Sequence, residues 1–254
     1  MTVLLAELTR EQIRKAAPTT VAILPTASVE QHGPHLPVLT DTILCGAIAE
    51  RAAALANETA PMLVAPVLCY GHSHHHRPFP GVLSLSSPDY MAAVNDVLEG
   101  LLLSGFTKIV VLNGHGGNSA PNAVVCATFI QEPTHAVTLA NASYWDIARP
   151  AIVEAGIMPA AEVPGHAGRF ETAMVMAVRP DLVSVEGLAL SDTMPAAAEV
   201  ATSLAGGTVQ THGVWSASRG FTDKPSLATP EDGRAMLDIT IREVAGFLTA
   251  FAAI

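Results

Sequence analysis

Glu30, His32, His35 and Asp41 crowd into about a dozen residues of a loop punctuated by Gly33, Pro34 and Pro37. Carboxylates and imidazoles are the ligands that hard and borderline divalent cations prefer, so this loop is expected to hold metal. Glu-x-His alone is common by chance, and a polar surface loop needs no ion. Two further stretches carry the argument: Asn113-Gly114-His115-Gly116-Gly117-Asn118, and Gly165-His166-Ala167-Gly168-Arg169-Phe170-Glu171-Thr172. Three His/acid/Gly clusters in one chain imply a shared site.

The chemistry expected of that site is hydrolysis. Two divalent ions roughly 3.5–4 Å apart clamp a bridging water and yield hydroxide near neutral pH, ready to attack a carbonyl. Asp41, where the first loop ends and a helix begins, is the expected bridge. Glu30 and His32 flank Gln31, so in extended chain their side chains point the same way and one could serve each ion. His115, between glycines that allow close backbone approach, would complete one set and Glu171 the other. His166 could pass a proton to a leaving nitrogen or act as a further ligand; Glu171 is counted with it as catalytic. His72, His74, His75 and His76 form either a plain polar loop or a substrate lid. Substrate contacts are expected from Ser73, His75, His76, Gly116 and Gly117. No G-x-S-x-G elbow, P-loop or strand-linked G-x-G-x-x-G is present, and none of the three cysteines lies beside the clusters.

Such loops need a rigid base. Val21-Ala22-Ile23-Leu24-Pro25 reads as a buried strand ahead of the first loop, and Lys108-Ile109-Val110-Val111-Leu112 as another ahead of the His115 loop. Further strands are expected at 62–67 and 136–140. Helices are expected at 9–16, with Thr9 and Gln12 as a capping box, and at 42–57, 87–103, 119–129 and 171–178. A last helix starts at Thr229-Pro230-Glu231-Asp232, a cap followed by proline and acids. The Gly-rich stretch 205–224 lacks clear periodicity and reads as a hairpin or a subunit contact. Strands alternating with helices give an α/β class, one domain over 1–254, with a mostly parallel sheet.

Composition agrees. In 254 residues, 50% are hydrophobic and 14% charged, enough for a large core without disulfides and suggestive of surface covered by other subunits. A formal net charge of −10 argues against a nucleic-acid partner. Cys45, Cys69 and Cys126 fit free thiols in a reducing compartment. With no secretory pattern and no apolar run near the ~20 residues of a membrane span, a cytoplasmic protein is expected.

Together, Glu30-Gln31-His32-Gly33-Pro34-His35-Leu36-Pro37 with Asp41, Phe79-Pro80-Gly81, Asn113 to Asn118, and His166 with Glu171-Thr172 resemble the creatininase (creatinine amidohydrolase) family. The resemblance implies a three-layer α/β/α domain, a binuclear centre and a hexamer built as a trimer of dimers. By analogy Glu30 and His115 serve one ion, His32 the other, Asp41 bridges, and His166 is the catalytic histidine. Zinc is the first expectation for the two ions, manganese or iron the alternatives. Gly117 stands where creatininase carries a glutamate ligand, so Glu171 is expected to replace it. Trp145 matches a family position near the pocket, whereas the tryptophan shortly before the catalytic histidine is missing from residues 160–165. The expected substrate is therefore a small cyclic amide, lactam or formamide other than creatinine. The alternatives are opening of a C–C or lactone bond, or a non-catalytic metal-binding relative.

Overall fold

β1 (Val21–Thr26) and β3 (Lys108–Asn113) lie side by side in a four-stranded, wholly parallel sheet, with β2 (Met62–Val64) outside β1 and β4 (Thr138–Ser143) outside β3. Val21 sits opposite both Met62 and Lys108, and Lys108 opposite Thr138. The computed structural model describes residues 2–193, 201–204, 207–217 and 219–254.

Both faces of the sheet are buried, which is why β1 reads as a continuous apolar run. Val21 and Ile23 point into one core with Leu44, Ile48, Phe170 and Leu248. Ala22 and Leu24 point into the other with Tyr90, Leu98, Val125 and Phe129. The first core is covered by α2 (Thr40–Ala56), α5 (Tyr144–Glu154), α6 (Arg169–Val178) and α9 (Pro230–Ala252). The second is covered by α3 (Ser87–Leu103) and α4 (Ser119–Phe129), with α1 (Arg10–Ala16) contributing Ile13 and Ala16. The class is α/β, with helices on both faces as expected.

The terminal signals act as written. Thr9 and Gln12 form the capping box of α1, and Thr229 accepts from the Asp232 N–H at the start of α9. α3 and α4 span the expected residues. β2 is shorter than expected, and that explains how Pro25 survives inside a sheet. The Pro25 carbonyl accepts from Leu68 on the β2 side, so its missing N–H falls where β2 has already ended at Val64. α5 and α7 (Val185–Ser191) are additions to the sequence reading. Pro150 inside α5 hides that helix, because proline normally breaks a helical pattern.

The stretch read as a hairpin or subunit contact is in part an antiparallel pair, β5 (Ala201–Leu204) with β6 (Gly207–Gln210), followed by a single turn of helix, α8 (Val214–Ala217). Residues 205, 206 and 218 of that stretch lie outside the described residues. Cys45 and Cys126 are buried and Cys69 is half-buried; all three are free. No helix among the described residues is long and apolar enough to cross a membrane.

Strand order β2-β1-β3-β4 reverses direction between β1 and β3. In open α/β sheets the crevice at such a point, beyond the carboxyl ends of the strands, is where ligands bind. The loops after β1 and β3 are the two that carry Glu30 to Asp41 and His115.

Candidate metal centre

Asparagines fix the loop after β3. The Asn113 side chain accepts from the His115 N–H at 3.1 Å and donates to the His115 carbonyl at 2.8 Å, turning the chain back on itself. Asn118 reaches across, donating to the Ala27 carbonyl at 3.0 Å and accepting from the His72 N–H at 2.9 Å. The loops after β1, β2 and β3 are thereby held in one frame. Gly33, at φ 64°, supplies the left-handed turn just after His32.

Inside this frame Glu30, His32, Asp41, His115, His166 and Glu171 converge, none more than 8% exposed. Asp41 stands between two imidazoles: Oδ1 is 3.0 Å from His32 Nε2, and Oδ2 is 2.9 Å from His115 Nδ1. His115 Nδ1 is also 3.4 Å from Glu30 Oε1, and His32 Nε2 is 3.7 Å from Glu171 Oε2. Three overlapping sets of donors result, each mutually within 4.8 Å: His32 with Asp41 and Glu171, Glu30 with His75 and His115, and Glu30 with His32 and His166.

Glu171 sits in the first turn of α6, where its carboxylate accepts from the Ala167 N–H. Ala167 is held at φ 47°, a left-handed conformation costing about 1–2 kcal/mol outside glycine.

His166 is oriented by Gln31. The Gln31 amide nitrogen lies 2.7 Å from the Gly220 carbonyl, 2.9 Å from His76 Nδ1 and 2.9 Å from His166 Nε2. It has only two protons to give. His166 Nε2 has another partner, the Gln31 carbonyl at 3.0 Å. The arrangement that satisfies the Gln31 amide nitrogen and carbonyl, the Gly220 carbonyl, His76 Nδ1 and His166 Nε2 gives the amide protons to Gly220 and His76, with His166 Nε2–H donating to the Gln31 carbonyl. His166 Nδ1 is then a lone pair, 3.5 Å from Glu30 Oε1. Two acceptors facing each other at that distance call for a proton or a cation between them.

The protonation pattern is that of a cation receptacle. Burial alone would lower His32, but Asp41, Glu171 and Glu30 push it up to about 10. His115 is raised well above the imidazole range, burial being outweighed by Glu30 and Asp41. Glu30 is held well below the carboxylate range, against burial, by His115, His76 and His166. Burial chiefly lifts Glu171 to about 8. It also keeps His166 well below the usual imidazole range and lowers His76 to about 3, so both are neutral. Asp41 Oδ2 and His76 Nε2 are buried without a hydrogen-bond partner; the 2.9 Å approach of His115 to Asp41 is an ion-pair contact, not an aligned hydrogen bond. Buried orphan donors among carboxylates and imidazoles fit divalent ions of the zinc or manganese kind.

The remaining expected residues divide. His75, His76, Gly116, Gly117 and Trp145 line a cavity of about 790 Å³ above the cluster. Ser73 is not part of that lining: it is fully buried behind Glu30 and donates its hydroxyl to that carboxylate. His35 also turns away from the cluster, pairing with the Thr172 hydroxyl at 2.9 Å, and burial lowers it to about 4. Trp215 on α8 was not singled out from sequence; its ring lies 4.4 Å from His76 and 4.9 Å from His166 and walls the cavity. A lone tryptophan in an aperiodic Gly-rich stretch gave no signal beyond its type. Gln31, uncharged and set between Glu30 and His32, carries no residue-type signal of its place in the site.

A parallel sheet with an acid–imidazole cluster at its topological switch point is an arrangement that could hold divalent ions beside a ligand crevice. Residues 6–248 match the model of the Creatininase family, described as creatinine amidohydrolase. A mycofactocin precursor peptide peptidase of Mycolicibacterium smegmatis is 31% identical over 89% of this chain and 82% of that protein. A creatinine amidohydrolase of Pseudomonas putida is 30% identical over 69% of this chain and 70% of its own length. A solved manganese creatininase superposes with a TM-score of 0.81 at 26% identity, covering 98% of both chains. The chain belongs to the creatininase family and is an enzyme of its hydrolase class.

Proposed function

We propose that residues 1–254 act as one catalytic unit, a binuclear metal-dependent hydrolase that cleaves the C–N bond of an amide. The observation that carries this is Asp41, whose two oxygens each lie about 3 Å from an imidazole of a different loop position. Glu30, Asp41 and His115 would hold one ion; His32, Asp41 and Glu171 the other. Bound there, two divalent ions, zinc first with manganese or iron as alternatives, supply Lewis acidity that polarises a carbonyl and generates hydroxide from water near neutral pH.

The chain's own residues do the rest. His166, neutral and with its Nδ1 lone pair turned toward Glu30, takes up a proton as the carbonyl is attacked and returns it to the departing nitrogen. Gln31 fixes the tautomer that makes this possible. Trp145, Trp215 and His76 wall the substrate and limit water, while Gly116 and Gly117 leave the backbone bare beside it.

The substrate reading starts from a small cyclic amide, lactam or formamide. The cavity volume of about 790 Å³ favours a second reading, a peptide amide, because pockets of 300–1,000 Å³ enclose drug-sized ligands. The mycofactocin precursor peptide peptidase similarity agrees with it. We also propose a cytoplasmic homo-oligomer, a hexamer by family analogy. Exposed Leu103, Val185, Val124 and Ile130 support the assembly, and free thiols support the compartment. Light scattering that gives a monomer would remove the hexamer.

Elemental analysis of protein purified without added metal tests the centre: about two equivalents of divalent metal per chain are expected. Trace metal, with stability unchanged by chelators, rejects it. Mass spectrometry of products from cyclic amides, formamides, lactones and short peptides then separates the substrate readings.

A further inference from the structure

The tract after β2 folds over the centre as a turn of 3-10 helix, His74–His76, and its four histidines go four ways. His72 is spent on the Leu85 carbonyl and the Ser87 hydroxyl, each at 3.2 Å. His74 bonds the Ser84 hydroxyl at 2.7 Å, and His76 accepts from Gln31. His75 differs from all three: among the described residues neither of its ring nitrogens is engaged in a hydrogen bond.

Its position is nevertheless fixed. The His75 ring lies parallel to that of His115, with centroids 5.8 Å apart and planes 8° from coplanar. One of its nitrogens falls within 4.8 Å of donor atoms of both Glu30 and His115. The seat is built by Gly117, where a Cβ would stand 3.1 Å from His75 Cε1, 2.5 Å from His115 Nε2 and 2.1 Å from the His72 carbonyl oxygen. Any side chain at 117 would push the tract off the centre. Glycine there lets an imidazole descend beside two other donors with a free lone pair.

We propose that His75 is a protein ligand of the Glu30/His115 cation position. This rests on the binuclear reading above. It reassigns His75 from the substrate wall to the metal. An ion at this position is held by groups from the loops after β1, β2 and β3 together.

The test is a competition titration of Zn2+ against a chromophoric chelator, with absorption spectra of the Co2+-loaded protein, on wild type and variants. His75→Ala and His75→Gln should each weaken one of two ions by about tenfold or more, at least the cost of losing a supporting partner. They should also change the cobalt visible spectrum, with the fold intact by circular dichroism. His74→Ala, on the same turn, should change neither. If both His75 variants bind two ions with wild-type affinity and an unchanged cobalt spectrum, the ligand role is overturned while the binuclear centre stands. A wild-type protein that takes up no ions overturns both.

Discussion

Asp41→Asn isolates the carboxylate proposed to bridge the two ions, with almost no change in volume. Asp41 is 3% exposed at the start of α2, so an amide of the same shape keeps its packing. What is lost is one negative charge shared between two donor sets, with His32 at 3.0 Å and His115 at 2.9 Å from its oxygens. A unit charge removed about 4 Å from another is worth about 4 kcal/mol at the effective dielectric of a protein site, or roughly a thousandfold in affinity. The ion's second charge raises that figure, while the amide oxygen's residual donor strength lowers it. Both ions should therefore weaken by about three orders of magnitude, and as-purified metal should fall from about two equivalents toward none. Glu171→Gln, by contrast, should weaken only the ion held with His32. Chelator competition and elemental analysis read both outcomes. Loss of a single ion from Asp41→Asn would place Asp41 in one set only and refute the bridge; retention of both at wild-type affinity would refute the centre.

Three further outcomes follow from the same geometry. His166→Ala should keep both ions and lower turnover by about 10²–10⁴-fold, the usual range for a positioned acid–base group; steady-state kinetics with metal analysis decide it, and loss of metal would make His166 a ligand. Gly117→Ala, built 2.1 Å from the His72 carbonyl, should cost about 1–3 kcal/mol by overpacking, seen as a lower denaturation midpoint, and a neutral result would mean that the tract does not sit where it is placed. His32, pushed up to about 10, and His115, raised with it, hold protons that an incoming cation must displace. Zinc uptake at neutral pH should thus release protons, and apparent affinity should climb as pH rises; calorimetry in buffers of different ionisation heat measures it, and uptake without proton release would contradict the assigned charges.

Most of the fold was legible because its signals are local. A strand buried on both faces must be a short apolar run, and β1 and β3 are; a hydroxyl residue just ahead of a proline marks a helix start, and Ser86 caps α3 ahead of Ser87-Pro88 as Thr229 caps α9 ahead of Pro230. The failures also have local causes. α5 carries Pro150 and begins with Tyr144-Trp145, residues that suit strands as well as helices, so the end of β4 and the start of α5 blur together in sequence. α7 and α8 are each too short for a helical period to show.

The site was legible in its donors and illegible in its roles, for a physical reason. Residue type announces that a side chain can ligate; only the fold decides which way it points. His32 and His35 are three residues apart in one loop, yet one faces Asp41 and the other bonds Thr172. Ser73 and His75 are two apart, yet one is buried behind Glu30 and the other stacks on His115. Gln31, flanked by two ligand candidates, carries no charge and no metal affinity worth reading, but its amide has two protons for three neighbours, and that shortage sets the tautomer of His166. Tautomer, not identity, decides whether His166 can accept a proton at the atom facing Glu30. The proton-accepting capacity of His166 therefore belongs to a hydrogen-bond count that closes only in three dimensions, across residues 31, 76, 166 and 220.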